Sequence, residues 1–292
     1  MRILHILLLL SAIFFVQSCT KSEEKNTISN TEREISEDFK SYWFSGTAEI
    51  TSYTLEQERY GEMRDGSAVL IYVTEDFHGD TQVKANKKND LTIPVLKLNS
   101  TKNFLTGIYP YSIMTSTFIP IFEETHALKI STSIQEWCGQ TYAQLNNRNA
   151  FEITSHSYFD NEADQNFILE KTWLEEEFWT LLRIDPTALP VGEISVIPSL
   201  EYAKLRHKNL KAELANATLT EEESLINYTI TYPKSDRSLS IWFQKEAPYV
   251  IEKWEEKIGK FTTKATKRNQ IQSAYWSKNK RNDEVLRESL FE

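Results

Sequence analysis

The sequence predicts a mainly β protein: an antiparallel sheet curled into a barrel, half-barrel or sandwich, with one amphipathic covering helix at about 172–184. Three observations lead there. Apolar and polar residues alternate with a period of two along several runs, short turn signals separate those runs, and only one stretch has a strong helical period. Composition agrees, with 13 Tyr, 15 Phe and 7 Trp, residues that suit a pleated surface, against 8 Gly.

Taken in order, "FSGTAEITSYTLEQERY" changes phase between Ile50 and Tyr53. That predicts a bulge, or a strand passing from one packing layer to another. "SAVLIYVTEDF" is apolar on both faces and reads as a central strand. Leu128, Ile130, Thr132 and Ile134 share a face, and Phe151, Ile153, Ser155, Ser157 and Phe159 share another. Ile226, Tyr228, Ile230 and Tyr232, then Leu239, Ile241 and Phe243, repeat the pattern. "RDGS", "HGD", "KKND", "NNRN" and "PKSDRS" mark turns.

The helix follows from Thr172 and Glu175 as a capping box and from the stripe Trp173, Leu174, Phe178, Leu181 and Leu182. "WLEEEF" supplies its polar face and Pro186 its end; "NDEVLRESLFE" is a second, weaker helix. Residues 39–292 read as one β-rich domain, the alternative being two β-rich halves split near 185–192.

The first residues carry an address. Arg2 and the apolar run Ile3 to Val16 fit a secretory signal, residues 1–18, and the run is too short to span a bilayer. Val16-Gln17-Ser18-Cys19 resembles a lipobox, in which Cys19 takes a diacylglycerol on sulfur and becomes the new N-terminus. Two or three acyl chains hold a protein on a membrane where one does not. The polar stretch that completes residues 19–38 is expected to be a flexible tether. The expected location is the cell envelope, lipid-anchored to the outer membrane, at its periplasmic face or at the cell surface.

Charge narrows the partners. Against 42 acidic residues stand 33 basic ones, net −9, with no basic block, which argues against nucleic acid. There is no GxGxxG or P-loop, no HExxH and no CxxC, so no cofactor and no metal are expected. With Cys19 acylated, only Cys138 remains as a thiol.

Two groups of residues can carry function. A hairpin centred near Asn147 places Cys138 opposite His156, with Asp160 or Glu162 to orient the imidazole, an order that suits thiol chemistry. Cys138 as a buried small hydrophobe and His156 as a surface residue form the structural alternative. In "NFLTGIYPYSIMTSTFIPIF", Tyr109, Tyr111 and Phe118 either line the mouth of a ligand cavity or belong to the core. His78, His126 and His207 read as solvated, and "FDNEADQNF" as an acidic turn.

Several stretches, among them "SGTAEITSYTLEQERYGEMRDG", "SIQEWCGQTYAQLNNRNAFEITSHSYFDNEADQNF" and "AYWSKN", resemble a family of uncharacterised Gram-negative predicted lipoproteins. Some such families bear the label septum formation inhibitor, after the Maf nucleotide pyrophosphatases. Maf enzymes are cytoplasmic α/β proteins with a Ser-x-Ser-x-Arg-Arg motif; this chain lacks it, and the resemblance carries no catalytic residues across. The leading reading is a non-catalytic envelope lipoprotein, a binding or structural module for a lipid or other apolar ligand, a glycan or an envelope protein. The alternative is an envelope thiol hydrolase using Cys138 and His156.

Overall fold

The computed structural model describes residues 31–291. After β1 (Thr31–Glu32) and α1 (Glu37–Trp43), the chain enters a large sheet through β2 (Ala48–Arg59) and β3 (Glu62–His78). It continues through β4 (Val83–Lys84), β5 (Thr92–Thr106), β6 (Tyr109–Pro120), β7 (Glu123–Glu124) and β8 (Lys129–Glu136). Next come β9 (Gly139–Asn147), β10 (Phe151–Ser157), β11 (Gln165–Leu169), β12 (Trp173–Leu174) and α2 (Glu175–Ile184). β13 (Gly192–Ile197) and α3 (Leu200–Leu205) lead to β14 (Glu213–Glu221), β15 (Leu225–Tyr232), β16 (Arg237–Gln244), β17 (Ile251–Ile258), β18 (Phe261–Ser273) and α4 (Glu284–Phe291).

Sixteen strands form one sheet, antiparallel throughout except where β12 joins β13. Neighbours in the sheet are neighbours in sequence, and β18 pairs with β2, so the chain travels around the sheet once. Its two edges are β11 and β12, and no ladder joins them among the described residues. The sheet is therefore a curled, incompletely closed barrel with a single seam. The sheet runs without a break through strands on both sides of residues 185–192.

The interior is filled from all sides. Tyr53, Leu55, Leu70, Tyr72, Leu96, Ile130, Ile153, Tyr228, Ile241 and Trp254 point inward, and Phe178, Leu181 and Leu182 of α2 pack among them. Nine of the ten residues of α2 are buried. An amphipathic helix covering the sheet with "WLEEEF" facing water is thus corrected: α2 is threaded through the barrel, and its glutamates are inside. Burial on every side calls for partners for the polar groups of the helix, its charged ones above all; the buried Thr180 hydroxyl is left without one.

Its start also differs from expectation. Trp173 and Leu174 are held as a strand beside Val196 and Ile197, and the Thr172 hydroxyl donates to Ser195 O at 2.6 Å instead of capping the helix. Half of a capping box survives two residues later, where Glu177 accepts the Leu174 N–H at 3.2 Å.

Three further expectations are revised. β2 keeps constant register against β3, so no bulge lies between Ile50 and Tyr53. The apparent phase change arises because both faces are buried there: Ala48 and Ile50 lie outside under Leu290 of α4, while Glu49 and Tyr53 point inward. The register shift sits opposite, in β18 between Lys267 and Gln270. "RDGS" lies inside β3, the turn being at Tyr60 and Gly61; Gly66 is required because a Cβ there would lie 2.5 Å from Asn103 O of β5. The end of the expected tether is folded: β1 pairs with β7, and buried Arg33 donates to Pro120 O and Ile121 O. The expected signal, Cys19 and the rest of the tether fall outside the described residues.

Candidate functional site: a charged interior, a seam and a rim of hairpin tips

Three consecutive glutamates open α2, and each has its own partner. Glu175 accepts from Arg237 Nη2 at 2.6 Å and from the Tyr232 hydroxyl at 2.6 Å. Glu177 accepts from Ala127 N–H at 2.7 Å and lies 3.1 Å from His126 Nδ1. His126, expected to be solvated, is buried between Phe151 and Trp173. Glu176 has no cation: it accepts only the Leu200 N–H at 2.6 Å, and burial pushes its carboxyl up to about 8.

The last turn of α2 holds a closed ion pair. Arg183 clamps Glu49 with two bonds of 2.8 and 2.7 Å, donates from Nε to Pro248 O, and stacks beside Tyr72. Tyr42 adds a donor to Glu49 at 2.6 Å. Burial alone would raise the Glu49 carboxyl, and Arg183 holds it below the usual range instead. Every strong donor and acceptor is satisfied, as a buried pair requires.

A cavity of about 70 Å³ remains between α2, α3 and the barrel wall. Trp179, Trp254, Leu98 and Leu239 line it together with Lys102, Glu201, Arg237 and Glu256. Lys102 pairs with Glu201 at 2.6 Å, and Arg237 Nε with Glu256 at 2.6 Å. Burial disfavours the Glu256 charge, but Arg237 and Lys102 outweigh it and hold the carboxyl below its ordinary value. Such a space takes a few waters and no acyl chain.

The larger opening is at the seam. A groove of about 580 Å³ runs between β11 and the segment around α3. Its floor includes Ala143, Ile153, Phe167 and Leu200; Asn161, Gln165, Asn166 and Asn209 rim it. Glu162 ties its walls together, bonded to Lys204 at 3.0 Å and to His207 Nδ1 at 2.6 Å.

The residues singled out from the sequence are not brought together as expected. Phe151 faces Asn147, so the β9–β10 hairpin is centred on Asn149 and His156 lies opposite Tyr142. Cys138 occupies the β8–β9 turn, exposed, where Glu136 hydrogen-bonds its thiol and raises it above the ordinary thiol range. That opposes thiolate formation. His156 pairs with Asp164 at 3.2 Å rather than with Asp160, which is exposed in the following loop. The Cys138–His156–Asp160 arrangement is therefore not assembled, because the turn is centred two residues further along the chain than Asn147 and Cys138 falls in the preceding turn.

The aromatic group divides. Tyr111 is buried and stacked on Phe104 at 4.8 Å, and Tyr109 is half-buried above it. Phe118 has the opposite parity on β6 and stacks on Phe77 outside the barrel, so the three do not line one cavity. The acidic turn binds partners through Glu162 and Asp164. Among the described residues no helix is long and apolar enough to cross a membrane.

No family model and no curated relative matches the chain. Among solved structures it is similar to a crystal structure described as a β-barrel-like protein of domain of unknown function DUF1849 from Brucella abortus. The two share 7% identity and a TM-score of 0.48, over 77% of this chain and 98% of that one. The barrel described above stands on its own strand register, not on that likeness.

The interior pairs Glu175–Arg237 and Glu49–Arg183 were invisible to a reading of local pattern. One signal existed: "WLEEEF" offers no lysine or arginine three or four residues away to balance Glu176 or Glu177, as a solvated helix often would.

Proposed function

We propose that this chain is a non-catalytic binding module of the cell envelope, held at a membrane through an acylated Cys19, that takes an extended segment of an envelope protein along the seam. The observation that carries the reading is the contrast between the two spaces. The interior holds α2 and a 70 Å³ cavity, whereas the seam offers about 580 Å³ beside an unpaired strand edge. An edge strand presents a row of free N–H and C=O groups, and a groove beyond it supplies pockets for alternate side chains. A lipid carried inside the barrel has no room, so the apolar-ligand version is set aside.

A photo-crosslinking residue at Asn166 in the native host is the test. An adduct of defined mass there, lost with Phe167→Ala and missing from the same probe at Ser238 across the barrel, supports the reading. Equal adducts at both positions, or none at Asn166, end it. The amides around Phe167 also suit a glycan, and calorimetry with soluble envelope glycan fragments separates that outcome. Acylation is tested separately, by the intact mass of the mature protein.

A further inference from the structure

One end of the barrel displays large apolar side chains that the sheet does not need. The tips of β2–β3, β5–β6 and β8–β9 and the start of the β10–β11 loop lie side by side, because those strands are consecutive in the sheet. They present Tyr60, Leu105, Ile108, Trp137 and Tyr158, each more than half exposed and Ile108 84% exposed. The tips also touch one another. Trp137 stacks on Tyr109 with centroids 6.3 Å apart, and Tyr158 packs on Gly139, where a Cβ would lie 2.7 Å from its ring.

Beneath this rim sits a cation without a counter-charge. Arg59 donates to Leu205 O at 2.6 Å and to the Tyr111 hydroxyl at 3.2 Å, and its guanidinium lies 4.4 Å from the Tyr60 ring centre. Among the described residues it forms no ion pair. The nearest acid of the β8–β9 turn, Glu136, accepts the Cys138 N–H. Exposed Lys208, Lys211 and Lys260 stand at the same end, as do the carboxylates Asp160 and Asp236.

We infer that this rim docks on a phospholipid surface: Tyr60, Leu105, Ile108, Trp137 and Tyr158 enter the interfacial layer, and Arg59 meets a headgroup phosphate. Tyr and Trp have the amphipathic rings that favour the membrane–water interface, and separate protruding tips fit a fluid layer better than a groove in a folded partner. A half-buried guanidinium backed by aromatic rings is suited to phosphate. The mixed charge outside the apolar patch leaves zwitterionic headgroups unrepelled. The inference needs neither an acylated Cys19 nor a seam ligand, so its failure and theirs are separable.

Cys138 supplies the probe, since it is exposed beside Trp137. The full chain carrying Cys19→Ser is labelled at Cys138 with an environment-sensitive fluorophore. It is then titrated with vesicles of phosphatidylethanolamine and phosphatidylglycerol. Immersion should shift the emission to the blue, and a response that the rim substitutions below weaken belongs to the rim and not to the apolar run Ile3 to Val16. Ile108→Ser with Trp137→Ser should weaken the response about a hundredfold, tenfold for each side chain withdrawn. Arg59→Gln should weaken it severalfold and Arg59→Lys much less, with circular dichroism confirming that each variant is folded. An aqueous spectrum at every lipid concentration, or an unchanged response in the Ile108 and Trp137 double variant, overturns the inference.

Discussion

The helices α2 and α4 begin alike, with acidic residues at their first turns, and end in opposite surroundings. α2 buries nine of ten residues inside the barrel, while α4 buries Leu290 alone against the outer face of β2, β3 and β18. The inner helix brings four charged side chains into the protein: Glu175 and Arg183 meet opposite charges on distant strands, Glu177 meets His126 and Ala127 in a loop, and Glu176 meets only a backbone N–H. The outer one leaves its charges in water. What differs is not the local sequence so much as whether the sheet curls around the helix or merely lies under it. Inside, each polar atom must be matched, and a missing partner costs far more than a missing methyl group.

The comparison is broken most directly at Arg183. Removing one member of a buried pair leaves the other charge stranded, so Arg183→Ala should cost about 3–5 kcal/mol in urea unfolding. Glu49→Leu combined with Arg183→Leu should recover much of that loss. A double variant no better than the single one would show that the pair contributes more than its own satisfaction. Leu290→Ala, the counterpart on α4, should cost about 2 kcal/mol, at the lower end for a buried leucine because the site borders solvent.

Glu176 sharpens the contrast through pH. Its carboxyl sits near 8 when folded and near its ordinary 4.5 when unfolded, so between those values the folded chain holds a proton that the unfolded chain lacks. Stability contributed by this group is present below about 4.5 and declines as pH rises towards about 8. Glu176→Gln should flatten that decline, seen as melting temperatures across the window. An unaltered slope would show that Glu176 is ionised in the fold. The smallest effect belongs to Val285, 61% exposed on α4, where Val285→Ala should stay within about 0.5 kcal/mol.

Legibility followed range. The alternations at Ile130 to Ile134, Phe151 to Ser155 and Leu239 to Phe243 are buried on the predicted face, because a strand reads its period from adjacent residues. α4 lies within the predicted stretch. The Cys138–His156 juxtaposition failed because register depends on where the turn is centred, and a shift of two in the centre moves the partner by four residues. His126 was misread because turn-like neighbours say nothing of the helix that passes over it. The exposed rim was legible only as scattered aromatics until the order of the hairpins placed their tips together.

By itself the sequence determined the class of fold, most of its strands and the presence of one strong helix, since these depend on contacts a few residues apart. Tertiary structure alone decided that the sheet wraps the helix, that Glu49 meets Arg183 and Glu175 meets Arg237, and that Tyr60, Ile108 and Trp137 share one end. Those outcomes join residues far apart along the chain, and only the direction and curl of the whole sheet bring such residues within bonding distance.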